Sequence, residues 1–529
     1  MPTKSSPQTT VFEDDVLHQD RLNLSTRKHP VRNWLLVSAF FLLGILVAGF
    51  VVVMLNWPFT RAQVEKDLAE ATASTVTIES FQPTYFPRPG CMANGVTFRR
   101  SQDSRVPALI TVQKLTIQGS FVGLLTKHVP VIRAEGAHVV MPPFDTGEAR
   151  LLKISVLKAV VGELVANRAI LEFTPREPAK PAIRFEVHEF VLHDLGSNGA
   201  MAFQTALSNP EPPGEVRAMG QLGPWKSDDP AQTEITGAYS FRQANLGVFR
   251  GIGGILASDG TFRGMIKHLE VEGTTEMPDF EVTDSSHKVR VGSQFHAIVN
   301  ATNGDVELRD VTAHFGKTTV VSQGTIASQP KQRGKIASLD MVVREGRIQD
   351  LLLLFVKSAR SPLTGVVSLN ARAAVPPGPR PFLHKVELQA DFGVDSASFT
   401  NLKTQQTVDQ LSERAEGEKN EDPESVLSDL KGHVDLKDGI ANFSSLSFGV
   451  PGAVAQMHGT YDLDSEEIDL RGMLHMQAKL SDATSGIQSF LVKALNPFLR
   501  NNHPGAQVAV HITGTYSHPL YRLSSGSKP

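Results

Sequence analysis

What most constrains the fold of this chain is a two-residue alternation of apolar and polar side chains, which returns from residue 76 almost to the end. Val76, Ile78 and Phe81 open it, and Leu115/Ile117, Val129–Ala134 and Val139/Val140 follow, each bounded by Gly or Pro. Phe185/Val187 with Val191, Ile235/Gly237/Tyr239/Phe241, Val306/Leu308 and Leu339/Met341/Val343 continue the series. Val386/Leu388/Ala390/Phe392, Leu470/Met473 and Val508/Val510/Ile512 complete it. A period of two belongs to strands, whose successive side chains point to opposite faces. The intervening positions are mainly polar, as at Gln389, Asp391, His511 and Thr513. Strands with one greasy and one wet face suit antiparallel sheets and not buried parallel ones. The spacing predicts roughly twenty strands.

Helices are sparse. Pro58, well placed at a first helical position, opens a predicted helix that runs to about Ala73. Leu246–Leu256 is apolar and Gly-rich and reads as a weak helix. Arg347–Lys357 carries Ile348, Leu351, Leu352 and Phe355 at i, i+3, i+4 and i+7, an amphipathic pattern. Ser485–Arg500 repeats it with Ile487, Phe490, Leu491 and Leu495, and Pro497 ends or kinks it. Arg414–Glu424 is charged and reads as a mobile loop.

An internal echo organises the second half. Asn303-Gly304 and Asp438-Gly439, dipeptides that favour hairpin turns, each begin a similar block. Counting from the glycine, apolar residues fall at +4 (Leu308, Phe443), +7 (Val311, Leu446), +9 (Ala313, Phe448) and +11 (Phe315, Val450). A second glycine falls at +20 in both (Gly324, Gly459). A repeated β-unit, hairpin plus returning strand, explains both.

One segment breaks the alternation. Leu35–Leu55 contains no charge and no Pro. As a helix it spans about 31 Å, close to the ~30 Å hydrocarbon core of a bilayer. Trp34 and Trp57 bracket it at interfacial positions, and Arg21, Arg27, Lys28 and Arg32 all precede it. That asymmetry predicts an uncleaved single-pass anchor with the N-terminus in the cytoplasm and the bulk on the far side. The expected organisation is a disordered tail over 1–33, an anchor over 34–57, a β-rich region over 58–402, a helix or mobile charged loop over 403–430 and a second β-region with an amphipathic helix over 431–529.

The chain has 529 residues, with 52 Lys+Arg against 55 Asp+Glu and a formal net charge of −3. It has no basic field for nucleic acid. Cys91 is its single cysteine, so no intramolecular disulfide forms.

Signatures of chemistry do not survive scrutiny. His188-Glu189 with His193 is one residue too long for the zinc-protease helix motif. Ser155-Val-Leu-Lys158 lacks the companion motifs of a β-lactam-type nucleophile. Gly251-Ile-Gly253-Gly254 lacks the last glycine of a dinucleotide loop, and Cys91 reads as a packed thiol. Glu466-Glu467 and Asp228-Asp229 read as solvated turn residues. The expectation is a non-enzyme with no catalytic residue, cofactor or metal.

What remains is a long one-sided apolar surface. It either packs against a second layer, as in a sandwich, or lines an open, curled sheet that holds acyl chains. Exposing a sixteen-carbon chain to water costs on the order of 13 kcal/mol, at about 0.8 kcal/mol per CH₂. Val306, Leu308, Val508, Val510 and Ile512 are the candidate lining residues, with Trp34, Leu35, Leu55 and Trp57 marking the anchor.

The chain also resembles the AsmA-like family of envelope proteins. The likeness runs from Pro58-Phe59 and Tyr85-Phe86-Pro-Arg-Pro-Gly90 through Pro213-Gly-Glu-Val216 and Gly223-Pro-Trp225 with Asp228-Asp-Pro230. It continues at Thr302-Asn-Gly-Asp305, Gly346-Arg-Ile-Gln-Asp-Leu-Leu352, Pro362-Leu-Thr-Gly365, Lys479-Leu-Ser and Ile512-Thr-Gly-Thr515. His503-Pro-Gly and Tyr516-Ser-His-Pro depart from the family's ending. The resemblance implies an inner-membrane anchor, a periplasmic repeating β-groove of the bridge-like lipid-transfer kind, and a role in phospholipid movement or outer-membrane biogenesis. The expected fold class is therefore mainly β with a few helices: one N-terminal transmembrane helix, then an extended, curled, mostly antiparallel sheet. Phospholipid, the inner membrane and other envelope proteins are the expected partners. An assembly factor that templates outer-membrane proteins by strand addition is the alternative, and an envelope-polymer hydrolase is a third reading.

Overall fold

A computed structural model describes residues 57–100, 108–126, 128–142, 160–174, 182–197, 199–283, 285, 287–329, 334–400, 428–450, 453–476, 507–515 and 518–525. The chain divides at Pro58/Phe59 into two units, and the second holds every helix and strand described. Strand makes up 70% of the described residues.

The first strands are β1 (Thr75–Thr84), β2 (Gly90–Arg99), β3 (Ile110–Gln118), β4 (His128–Met141), β5 (Val160–Phe173), β6 (Ile183–Leu195), β7 (Met201–Pro210) and β8 (Pro213–Leu222). Next come β9 (Glu234–Asn245), β10 (Ile252–Gly253), β11 (Ile255–Met265), β12 (His268–Val282), β13 (Val289–Asn300), β14 (Asp305–Phe315), β15 (Thr318–Ser328) and β16 (Lys335–Arg347). The last are β17 (Leu363–Val375), β18 (Glu387–Phe399), β19 (Ser428–Lys437), β20 (Ile440–Val450), β21 (Ala453–Asp462), β22 (Glu467–Met476), β23 (Gln507–Thr515) and β24 (His518–Ser525).

They form one 24-stranded sheet. Each strand pairs with its successor, apart from β10, which pairs β12 and leaves β9 to pair β11. All pairings are antiparallel except β4 with β5. Among the antiparallel neighbours, successive connections therefore alternate between the two rims of the sheet, which curls into a half-barrel.

The internal echo is a structural repeat. Asn303-Gly304 closes the β13–β14 turn and Asp438-Gly439 the β19–β20 turn. In both blocks the register shifts between +4 and +7, at Leu308/Val311 and at Phe443/Leu446. The +20 glycine stands directly across from the +4 residue, as Leu308 opposite Gly324 and Phe443 opposite Gly459. Gly324 and Gly459 have φ of 156° and 143°. A Cβ there would lie 2.0 Å from the Ser338 carbonyl oxygen and 1.9 Å from that of Asp469.

The helices are α1 (Arg61–Thr72), α2 (Phe121–Thr126), α3 (Ile348–Leu353) and α4 (Phe382–Lys385). Three sequence expectations need correction. The first helix begins at Arg61 because Thr60 caps it, its hydroxyl accepting from Gln63 N–H at 3.3 Å. The helix expected over Arg347–Lys357 stops at Leu353. The helix expected over Leu246–Leu256 is a 3₁₀ turn (Leu246–Val248), then β10 and the start of β11. Gly251 and Gly254, at φ 91° and 126°, leave helical space there.

No helix among the described residues is long and apolar enough to cross a membrane. The predicted span, with Trp34, Leu35 and Leu55, lies outside those residues, as do the tail 1–33, Ser155–Lys158, Arg414–Glu424 and Ser485–Arg500. Trp57 is buried.

Candidate functional site: the apolar face of the sheet

Register decides which side chains share a face. One row can be followed across the sheet from pair to pair. It begins Cys91, Ile117, Ile132, Leu164, Leu192, Phe203. It continues Gly220, Gly237, Phe262, Val271, Ala297, Leu308. It ends Gly324, Leu339, Ala373, Leu388, Leu436, Ala441 and Tyr461. Every member is apolar or glycine.

The next row, two residues along each strand, begins Phe81, Ala93, Leu115, Ala134, Ala166, Phe190. It is interrupted only by the small hydroxyl residues Thr205 and Ser322, and it ends Phe443, Gly459, Leu470, Ile512, Tyr521. A third row ends Met457, Gly472, Val510, Leu523. No charged side chain stands in any of the three.

Val306, Leu308, Val508, Val510 and Ile512 all lie on this face. Val306 pairs with Val299 and Ile326, and Val508 with Leu474. The structure thus gathers the expected lining residues onto one surface, although β14 and β23 stand far apart along it. Phe262, Phe295, Leu339, Phe443 and Ile512 are half-buried, whereas Val508 is buried.

The opposite face carries the charge. Asp340, Arg372, Gln389 and Asp435 stand in one row across β16–β19. Arg372 meets Asp340 at 3.2 Å and Arg263 meets Glu270 at 2.9 Å. His433 Nδ1 lies 2.7 Å from the Asp391 carboxylate, a contact that raises the imidazole pKa. His511, 2.7 Å from Asp469, together with Arg471 lowers the pKa of that carboxyl. These pairs are solvated rungs, each worth little in water. His188 belongs to this polar set: on β6 it meets Ser208 Oγ at 2.8 Å and Glu215 at 3.3 Å.

Two details of the lining escape sequence reasoning. A hydroxyl patch crosses β11–β13, where Ser258, Thr275 and Ser293 stand side by side in the third row. Ser258 Oγ donates to the Thr274 carbonyl at 3.0 Å, so Tyr239 donates to Ser258 at 3.1 Å. Burial pushes the Tyr239 phenol up. The second detail is a plug. Leu383 of α4 is fully buried among Val282, Val386, Leu436, Ala441 and Leu463, with Phe355 packed against them. Val282 ends β12 while Leu436 and Ala441 flank the β19–β20 turn, so the cluster spans the concavity between strands that do not pair. Its sequence signal is Phe382-Leu383 directly after the stiff stretch Pro376-Pro-Gly-Pro-Arg-Pro381.

Comparison of the chain with family models, with curated proteins and with solved structures gives no match.

Proposed function

We propose that this protein binds the acyl chains of membrane lipids along the apolar face of its sheet, as a non-enzymatic, membrane-anchored carrier of a cell envelope. One observation carries the reading: adjacent rows of apolar and glycine residues run unbroken by charge across the sheet, and much of that surface is half-buried rather than sealed under a second sheet. A surface of that extent beside water is costly at about 25 cal/mol per Å² unless something apolar covers it. With no cation in those rows, a phosphate headgroup would sit at a rim while its chains lie on the lining. The likeness to AsmA-like proteins supplies the setting, with Leu35–Leu55 in an inner membrane and the sheet in the periplasm.

Lipid counting tests this. Full-length protein exchanged into a lipid-free detergent and reincubated with phospholipid vesicles should carry lipid by mass spectrometry. The double variant Phe262→Asp/Val510→Asp should lose at least about tenfold in loading, since a buried carboxylate costs more than the 1.4 kcal/mol that a factor of ten represents. Unchanged loading in a folded variant contradicts the reading.

A second reading, strand addition to a client polypeptide, rests on the two ends of the sheet. The β1 edge is occupied by α1, whereas β24 pairs only with β23 among the described residues. Strand addition predicts crosslinks from β24 to polypeptide rather than from the lining to lipid.

A further inference from the structure

Two connections fold over the apolar face from opposite rims. The β16–β17 connection leaves its rim as α3, which packs Ile348 and Leu351 onto Val343, Val367 and Val394. Asp350 fixes that start by accepting from Thr318 Oγ1 at 2.9 Å and from Lys317 N–H at 2.8 Å. The chain then crosses: Phe355 joins the Leu383 cluster, and Lys357 Nζ reaches the Asp464 carbonyl at 2.7 Å in the β21–β22 turn, on the other rim.

The β17–β18 connection comes the opposite way. Arg380 pairs with Asp438 at 2.6 Å and His384 with Asp464 at 2.8 Å on its own rim. Across the face, the Pro379 carbonyl accepts from Arg250 at 3.2 Å, and a Cβ on Gly251 would lie 2.3 Å from Phe382 N. His287 Nε2 meets the Ser358 carbonyl at 2.9 Å and ties the first crossing to the β12–β13 connection. Leu383 has no exposed surface, and Val356 is 6% exposed. The two crossings therefore form a septum of packed apolar side chains between β12 and β21.

Resting on the lipid-binding reading, we infer that this septum divides the lining into two acyl-binding compartments, one along β2–β11 and one along β21–β24, which fill independently. The first is bordered by Ile132 and Phe190, the second by Leu470 and Ile512. A lipid running continuously from one to the other would have to displace Leu383 and Phe355 from their apolar contacts.

Site-specific crosslinking tests the division. Full-length protein carrying benzoylphenylalanine at Ile132 or at Ile512 is loaded from vesicles of dioleoylphosphatidylethanolamine and irradiated. Both positions should label. Phe190→Asp should abolish label at 132 and leave label at 512 within about twofold, and Leu470→Asp should do the reverse. Phe190→Ser replaces the aspartate variant should the latter not fold. Removing the septum side chain with Leu383→Ala should then couple the compartments, so that Phe190→Asp also lowers label at 512. Loss of both labels from a single lining variant in the intact septum overturns the division and leaves lipid binding standing. The division is equally overturned if Leu383→Ala creates no coupling. Absence of label at both positions in the parent protein overturns lipid binding, and the division with it.

Discussion

At the scale of residues, small side chains shape the lining as much as large ones. Gly324 lets β15 approach β16 so closely that any Cβ meets the Ser338 carbonyl. Gly324→Val should therefore destabilise the protein by about 1–3 kcal/mol in urea denaturation. Thr325→Val, at the neighbouring exposed position, should stay within about 0.5 kcal/mol. Cys91 offers a chemical probe. It is buried on β2, and burial pushes its thiol from 9.0 up to about 12. Between those values the unfolded chain releases the proton and the folded chain keeps it, so stability falls as pH rises above 9. The slope is about 1.4 kcal/mol per pH unit for this one group. Cys91→Ala should remove that part of the alkaline destabilisation, read as the difference between the two proteins' denaturation midpoints at pH 8 and pH 11. At pH 8 the native thiol should react with a disulfide reagent only after denaturant is added.

At the scale of elements, the two ends of the sheet are treated differently. Arg61 of α1 donates to the Ile78 carbonyl, and Glu65 accepts from Ile78 N–H at 3.2 Å. Side chains thus take the place of a neighbouring strand at β1, while a 3.1 Å contact holds Arg61 to Glu65. Arg61→Ala/Glu65→Ala should cost about 1–3 kcal/mol for two lost backbone partners and raise self-association, seen by sedimentation velocity. An unchanged sedimentation profile would mean that α1 does not guard the edge. Much at this scale was legible in the sequence. Alternation located the strands, and the Asn303-Gly304 and Asp438-Gly439 turns located a true repeat. The 246–256 segment misled because its apolar run gave length without period, and positive-φ glycines decided the outcome. Met473, grouped with Leu470 by hydropathy, pairs with Gln456 and Ala509 and so lies on the other face, since residues three apart on a strand alternate sides.

At the scale of the whole molecule, the sequence foretold a one-sided sheet but not what covers it. Val282, Leu383 and Leu463 are far apart in the chain, and only the curl of the sheet brings them together. No local period encodes such a meeting, which is why the septum was invisible while the lining residues Val306, Leu308, Val510 and Ile512 were not. The most direct test of the lining's role compares neighbouring residues on opposite faces. Benzoylphenylalanine at Phe262, on the apolar face, and at Arg263, exposed on the other, is irradiated in full-length protein embedded in phospholipid vesicles. Acyl-chain label at 262 with none at 263 is the predicted result, and equal label at both, or polypeptide adducts at 262 in place of lipid, would contradict it.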